Sequence, residues 1–480
     1  MTRSPVNMKM SIFSPDRATP RIYLFFAAIF IKLVASALSA IGFVLKSAWY
    51  QISGAAVWLL FLVLLLVIAI PSADTRLKAQ QHLLRTAAMT VIIVFCVVGV
   101  LLLAVATTIG LETIGSDQPE ENLSRLMVAM DDTFGYNDAT ALTHQGANII
   151  LNRENPYAET NIVIAMIEFD GAPDKLTPLR EGRFADVFPY PSAAQMEELW
   201  QNAVKNPFQV PPELESKFNY PAMCFLLPAP FIWLGISDLR FIYLILLVPA
   251  LAYVIFLTPG KYRVFFIIAL VASLEIWNSM AAGETGLLIF PFILLAWILY
   301  KRNLWMSALF MAIAVSTKQI TWFLLPFYLI LILKTAGWRQ LMAATAVIGG
   351  VFIAANAWFI AGDPRLWLTS ILAPVIDDMF PLGVGFISLV SGGVLDVRSP
   401  TLFSLVEFGI LVASLVWYFF NCRRYPNTAP VLSLLPLFFA WRSLWGYFFY
   451  IDIILLAAIL INECGSDTNG QLLPALATSA

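Results

Sequence analysis

Apolar runs of about the length needed to cross a bilayer, some 20 residues, recur along almost the whole chain and leave few folds open to it. They lie near 22–44, 55–71, 86–110, 239–258, 263–279, 283–300, 303–317, 319–334, 340–361, 402–421, 428–441 and 445–463. In lipid every backbone N–H and C=O needs an internal partner, so such runs fold as helices. The expected fold is all-α, a polytopic transmembrane bundle of about twelve spans. Only 12% of the 480 residues are charged, against about 25% in soluble domains. Membrane lipids are therefore expected partners. No contiguous basic patch marks a nucleic-acid surface, so no nucleic acid is expected.

Charge placement sets the orientation. Arg3, Lys9, Arg17 and Arg21 precede the first run, which lacks a small-residue cleavage site and reads as a retained anchor. Basic loops face the cytoplasm, which places both termini inside and residues 111–218 on the outer face of a plasma (inner) membrane. The later pairs Lys261 with Arg263, Lys301 with Arg302, Lys334 with Arg339 and Arg423 with Arg424 then all face inward. This alternation requires that 221–236 not be a full span. Pro221, Pro228 and Pro230 each lack a backbone donor, and the segment is expected to be half-embedded or re-entrant. The chain thus divides into a tail with three spans (1–110), an outer loop (111–220), a bundle (221–463) and a cytoplasmic tail (464–480).

The outer loop carries the polar chemistry. Its first third holds Glu112, Asp117, Glu120, Glu121, Asp131, Asp132 and Asp138. Leu142, Ile149 and Ile150 fall at helical spacing around Gly146, which predicts an amphipathic helix over 138–152. Such a helix lies on the bilayer surface, apolar side down, with its leading Asp138 aimed at the mouth of the bundle. Asn137 and Asp138 are equally suited to cap it. Asp131-Asp132 is a rival acidic pair. Cys96, Cys224, Cys422 and Cys464 are scattered and offer neither a disulfide framework nor a metal-binding spacing.

Read in order, the motifs resemble a family. Asp138 heads the helix; Gly146 and Asn155-Pro156-Tyr157 follow. Then come Phe218-Asn219-Tyr220-Pro221-Ala222, the turn Ala282-Gly283-Glu284-Thr285-Gly286, and Lys318-Gln319-Ile320-Thr321-Trp322 with Pro326. Over about 86–400 this order is similar to the GT-C superfamily of lipid-linked-sugar glycosyltransferases. It looks most like the family-87 branch, which uses polyprenyl-phosphate-mannose. Ala222 replaces a second proline of that pattern, and Glu284 stands where glutamine is usual.

The resemblance implies an inverting hexosyltransferase that moves a mannose-like sugar from a polyprenyl-phosphate donor to a lipid or glycan acceptor, with Asp138 as general base. Such a reaction needs a base within reach of the acceptor hydroxyl and cations where the leaving phosphate gains charge. Lys318 and Arg442 are the candidate cations, with Arg365 and Arg398 as further options. Tyr157, Tyr220, His144 and Asn155 are the other candidate substrate contacts. No metal or cofactor is implied.

Glu275 and Asp452 lie inside apolar runs, where ionisable groups are costly and take a functional or paired role. Asp452 is expected to pair with Arg442. Two rival readings remain: a transporter or lipid flippase whose pathway these acids line, and a non-catalytic envelope-assembly subunit. In the second, Asp138 would point to water with no cavity beneath it.

Overall fold

The computed structural model describes residues 18–115 and 135–463, so Asp131-Asp132 and the tail from 464 lie outside the described residues. From the N-terminus, α1 (Pro20–Val44), α2 (Ala48–Ala69) and α3 (Gln81–Gly115) lead into the loop region, which contains α4 (Asp138–Leu151) and α5 (Ala193–Lys205). The bundle resumes with α6 (Leu239–Leu257), then α7 (Gly260–Ala272) and α8 (Leu274–Ala281), which meet at a 50° bend. It continues through α9 (Gly286–Leu299), α10 (Leu304–Thr317), α11 (Ile320–Ala336) and α12 (Trp338–Gly362). Beyond α13 (Pro364–Ile376) follow α14 (Thr401–Asn421), α15 (Ala429–Phe438) and a last helical run, Trp445–Glu463, whose α-helical part is α16 (Ile451–Ala458). The chain is an integral membrane helix bundle: seven described helices are long and apolar enough to cross a bilayer, eight if the bent pair counts as one span.

Every expected run is helical, but four fall short of span length. Helices α9, α10, α11 and α15 have 14, 14, 17 and 10 residues. Their position explains this. In α9 every residue but Leu295 is buried, so it packs against other helices and need not match a hydrocarbon thickness. Residues 221–236 form two short helices, Met223–Leu226 and Ala229–Trp233, and no span.

Side chains tie the basic loops to one end of the bundle. Arg21 at the head of α1 pairs with Asp74 and with Glu463, both at 2.8 Å. Asn427 donates to Glu463 at 2.6 Å, and Arg423 Nε donates to the Lys334 carbonyl at 2.8 Å. Tyr300, at the foot of α9, faces Glu463 and Cys422. The first and last described helices therefore share an end with the basic loops, the arrangement the positive-inside rule demands. The loop region packs at the other end, where Leu239 N and Asp238 both bond to the Tyr136 hydroxyl.

At 1.5 Å per residue a 14-residue helix rises about 21 Å, and a 25-residue helix such as α1 or α12 about 38 Å. Helices α9 and α10 meet at the basic loop 300–303, and their opposite ends carry Thr285 and Lys318.

Asp452 does not pair with Arg442. It is fully buried and accepts from Lys32 Nζ at 2.7 Å, while the same ammonium reaches Glu275 at 3.2 Å and Ser273 Oγ at 2.8 Å. Asp452 opens a helix that descends from the loop bearing Arg442, so the two side chains diverge. Lys32 meets Asp452 from the middle of α1 and Glu275 just past the α7–α8 bend. One lysine thus bridges three elements and answers two buried acids.

Candidate active site

Helix α4 begins with a division of labour. Asn137 Oδ1 accepts from Thr140 N at 2.9 Å and so caps the helix. Asp138 is thus not the cap; its Oδ1 accepts from the Ala139 amide at 2.7 Å, and Thr177 also bonds to its carboxyl. The helix does not lie open on a surface as expected: residues 140–147 are buried. Small side chains make this possible, and Phe218, Phe225 and Pro156 pack round Gly146, in ordinary contact with where a Cβ would stand. Thr140 Oγ1 donates to the Gly283 carbonyl, stitching the head of α4 to the turn before α9.

A recess is built from five separate stretches of chain, around Asp138, Tyr220, Glu284, Lys318 and Arg442. Asp138 stands on one wall, hydrogen-bonded to Thr177. On the floor, Lys318 at the end of α10 donates to Thr285 Oγ1 and lies 4.9 Å from the centre of the Tyr220 ring. Tyr220 is held by Gln319, which bonds the Asn219 carbonyl, and by Ala222 N donating to Asn356 at 3.0 Å.

Arg442 comes from β2 (Arg442–Ser443), which runs parallel to β1 (Leu382–Gly383). Asp138, Glu284, Lys318 and Tyr220 each keep some solvent contact although protein atoms crowd round them on every side. We take these partly exposed side chains, which face one another, as the lining of a recess.

Electrostatics joins these groups. Burial pushes the Asp138 carboxyl above the ordinary carboxylate range, against the pull of Thr177, the Ala139 amide and the Arg442 guanidinium. Lys318 faces both Glu284 and Asp138. Arg442 differs from Lys318: its Nη1 is buried with no hydrogen-bond partner. An unmatched buried donor on a charged group costs free energy, and an anion in the recess would satisfy it.

The close β1–β2 contact that presents Arg442 depends on glycine. Gly383 has φ +141°, and a Cβ there would run into the Ser443 backbone. Gly383→Ala is expected to destabilise the protein by about 1–3 kcal/mol, checked by thermal unfolding; an unchanged midpoint would show that the strands tolerate a side chain there.

Of the expected site residues, Asp138, Tyr220, Lys318 and Arg442 are brought together, and three are not. Tyr157 is buried one layer behind, its hydroxyl donating to the Tyr220 carbonyl at 2.9 Å amid Phe218, Phe225 and Phe359. It supports the wall and does not line it. Asn155 caps the next turn, accepting from Tyr157 N at 3.1 Å. His144 is neither exposed nor in the recess. It stacks on Phe169 at 4.1 Å, and burial lowers its pKa to about 4. Six helical positions carry it about 120° round from Asp138.

Arg365 and Arg398 are exposed at the surface. Glu284, Thr285, Tyr190 and Tyr447 belong to the recess without having been picked out as site residues. Only the acidic residue within the turn 282–286 signalled this in the sequence. Searches of known protein families, curated proteins and solved structures find no match to this chain.

Proposed function

We propose that the chain is a membrane glycosyltransferase working on the outer face of a plasma (inner) membrane, and that it moves a mannose-like sugar from a polyprenyl-phosphate donor to a hydroxyl of a lipid or glycan acceptor. One observation supports this reading: a partly buried carboxyl, Asp138, faces Arg442, one of whose guanidinium nitrogens is buried without a hydrogen-bond partner. The acceptor oxygen would attack the anomeric carbon as its proton passes to Asp138. The bond from that carbon to the phosphate oxygen breaks with inversion, and the electron pair leaves with the polyprenyl phosphate. The phosphate thereby gains a negative charge beside Arg442, whose planar fork suits phosphate oxygens. Positioned charge of this kind is worth most where charge develops in the transition state.

An open apolar groove of about 420 Å³, lined by Ile150, Leu151, Leu226, Ala229, Pro230 and Trp233, lies at the far end of α4. It offers apolar surface of the kind a lipid tail requires. The alternative, a flippase with Glu275 and Asp452 along its pathway, would have to free these acids from Lys32. The test is a transfer assay on the purified protein in lipid with a panel of radiolabelled polyprenyl-phosphate sugars. Label should pass from at least one donor to extracted membrane lipid or glycan. No transfer from any donor by folded protein would overturn the proposal.

A further inference from the structure

The loop region holds a second pair of acids, among residues that do not line the recess. Residues 177–180 run as a short extended segment between two others. On one side Leu179 N donates to the Glu213 carbonyl at 2.8 Å, and Glu215 N to the Thr177 carbonyl at 3.0 Å. On the other, Arg180 N donates to the Asp378 carbonyl at 2.7 Å, and Leu179 bridges Met379. Thr177 is the residue that bonds Asp138, so this segment backs one wall of the recess.

Two carboxyls and one ammonium close its edge. Lys217 Nζ lies 2.7 Å from each oxygen of Asp377, the residue that follows α13, and Lys217 N donates to Glu215 Oε1 at 2.8 Å. The other oxygen, Glu215 Oε2, is buried, and no donor reaches it among the described residues; the Asp377 carboxyl stands beside the Glu215 side chain. Only 4% of Glu215 is exposed, so bulk water is out of reach. A buried acceptor without a donor costs free energy, and a second carboxylate beside it adds repulsion. A proton on Oε2 removes both costs, because the neutral carboxyl can donate to Asp377.

Burial, with the Asp377 carboxyl adding to it, holds the Glu215 carboxyl above the ordinary carboxylate range, against the pull of the Lys217 amide and ammonium. Other charges on these segments are turned elsewhere. Glu213 Oε1 accepts from Arg183 N at 2.8 Å, Arg180 Nη1 donates to the Arg398 carbonyl at 2.8 Å, and Asp378 is exposed.

We propose that 177–180, 213–217 and 377–379 form a clasp locked by one proton, which sits on Glu215 Oε2 and is donated to Asp377. Loss of that proton sets two crowded carboxylates against the single ammonium of Lys217, and the segments part. The clasp does not depend on any reaction in the recess, yet it ties the wall that carries Asp138 to the pH outside. Glu215 binds its proton more tightly in the clasp than a free glutamate does. The clasp is therefore at full strength below about pH 4.3 and weakens as pH rises towards the raised midpoint.

The test uses the full chain in lipid nanodiscs. Amide hydrogen exchange is followed across pH in peptides covering 177–180 and 213–217, corrected for intrinsic exchange and compared with α9. Wild-type protection in these peptides should fall by up to about tenfold per pH unit over that window, while α9 holds steady. Glu215→Gln should abolish the pH dependence, because its amide donates to Asp377 at every pH. By infrared spectroscopy, the carboxyl C=O band missing from Glu215→Gln should persist in the wild type above the ordinary carboxylate range.

Flat protection in the wild type, a Glu215 band that titrates as an exposed carboxylate, or an undiminished pH dependence in Glu215→Gln would overturn the proposal. If Glu215→Gln folds poorly, Asp377→Asn replaces it. Its amide supplies the missing donor to Oε2 and frees Lys217, so the Glu215 band should titrate lower, and an unmoved band would again overturn the proposal.

Discussion

Asp138→Asn is expected to lower sugar transfer about 10²–10⁴-fold, the usual contribution of a positioned general base, while leaving the fold in place. The asparagine oxygen can still accept from the Ala139 amide, as the carboxylate does at 2.7 Å, and Asn137 still caps α4. Stability and loss of turnover are thus separable. Rates under saturating donor, with circular dichroism and thermal unfolding on the same preparation, decide the matter. A folded variant with wild-type turnover would remove Asp138 from the chemistry. In the wild type the raised Asp138 carboxyl means that the base form accumulates only as pH climbs past the ordinary carboxylate range. The acid limb of kcat/KM should accordingly lie above that range and vanish with Asp138→Asn.

Lys32→Met is expected to be the most damaging single change to stability. Lys32 is fully buried and is the cation shared by Glu275 and Asp452 at 3.2 and 2.7 Å. Removing it leaves buried acids without a counter-charge, a loss of about 3–5 kcal/mol for a broken buried pair. The half-life of the detergent-solubilised protein at fixed temperature should collapse. The triple variant Lys32→Met, Glu275→Gln, Asp452→Leu should recover most of it, because replacing a whole buried charge cluster is far milder than orphaning part of one. Wild-type half-life in Lys32→Met would show that the cluster does not hold α1, α8 and α16 together.

The helices were legible because lipid allows little else, and each apolar run became one. Their lengths were less legible, since residues that pack only on other helices, as in α9, have the same composition as residues that face lipid. Lys318 and Arg442 stand out because each ends or interrupts an apolar pattern, and Asp138 because it heads a predicted helix within the polar loop. Which of them meet could not be read off, since their convergence depends on the Thr140–Gly283 and β1–β2 contacts, which join segments far apart in sequence. Lys32 was overlooked for the opposite reason. A lone lysine inside an apolar run carries no local sign of the two acids, 243 and 420 residues further on, that it answers.

The short central helices also make the protein a gauge of its surroundings. A 14-residue helix such as α9 or α10 rises about 21 Å, less than the about 30 Å of a bilayer's hydrocarbon core. On the proposed reading, a lipid-anchored headgroup would have to sink some distance below the leaflet surface to reach Thr285 and Lys318. That distance grows with acyl-chain length while the helices stay the same. Turnover in vesicles graded from short to long acyl chains should therefore fall as the bilayer thickens, so that lipid composition tunes the rate without touching a residue of the recess.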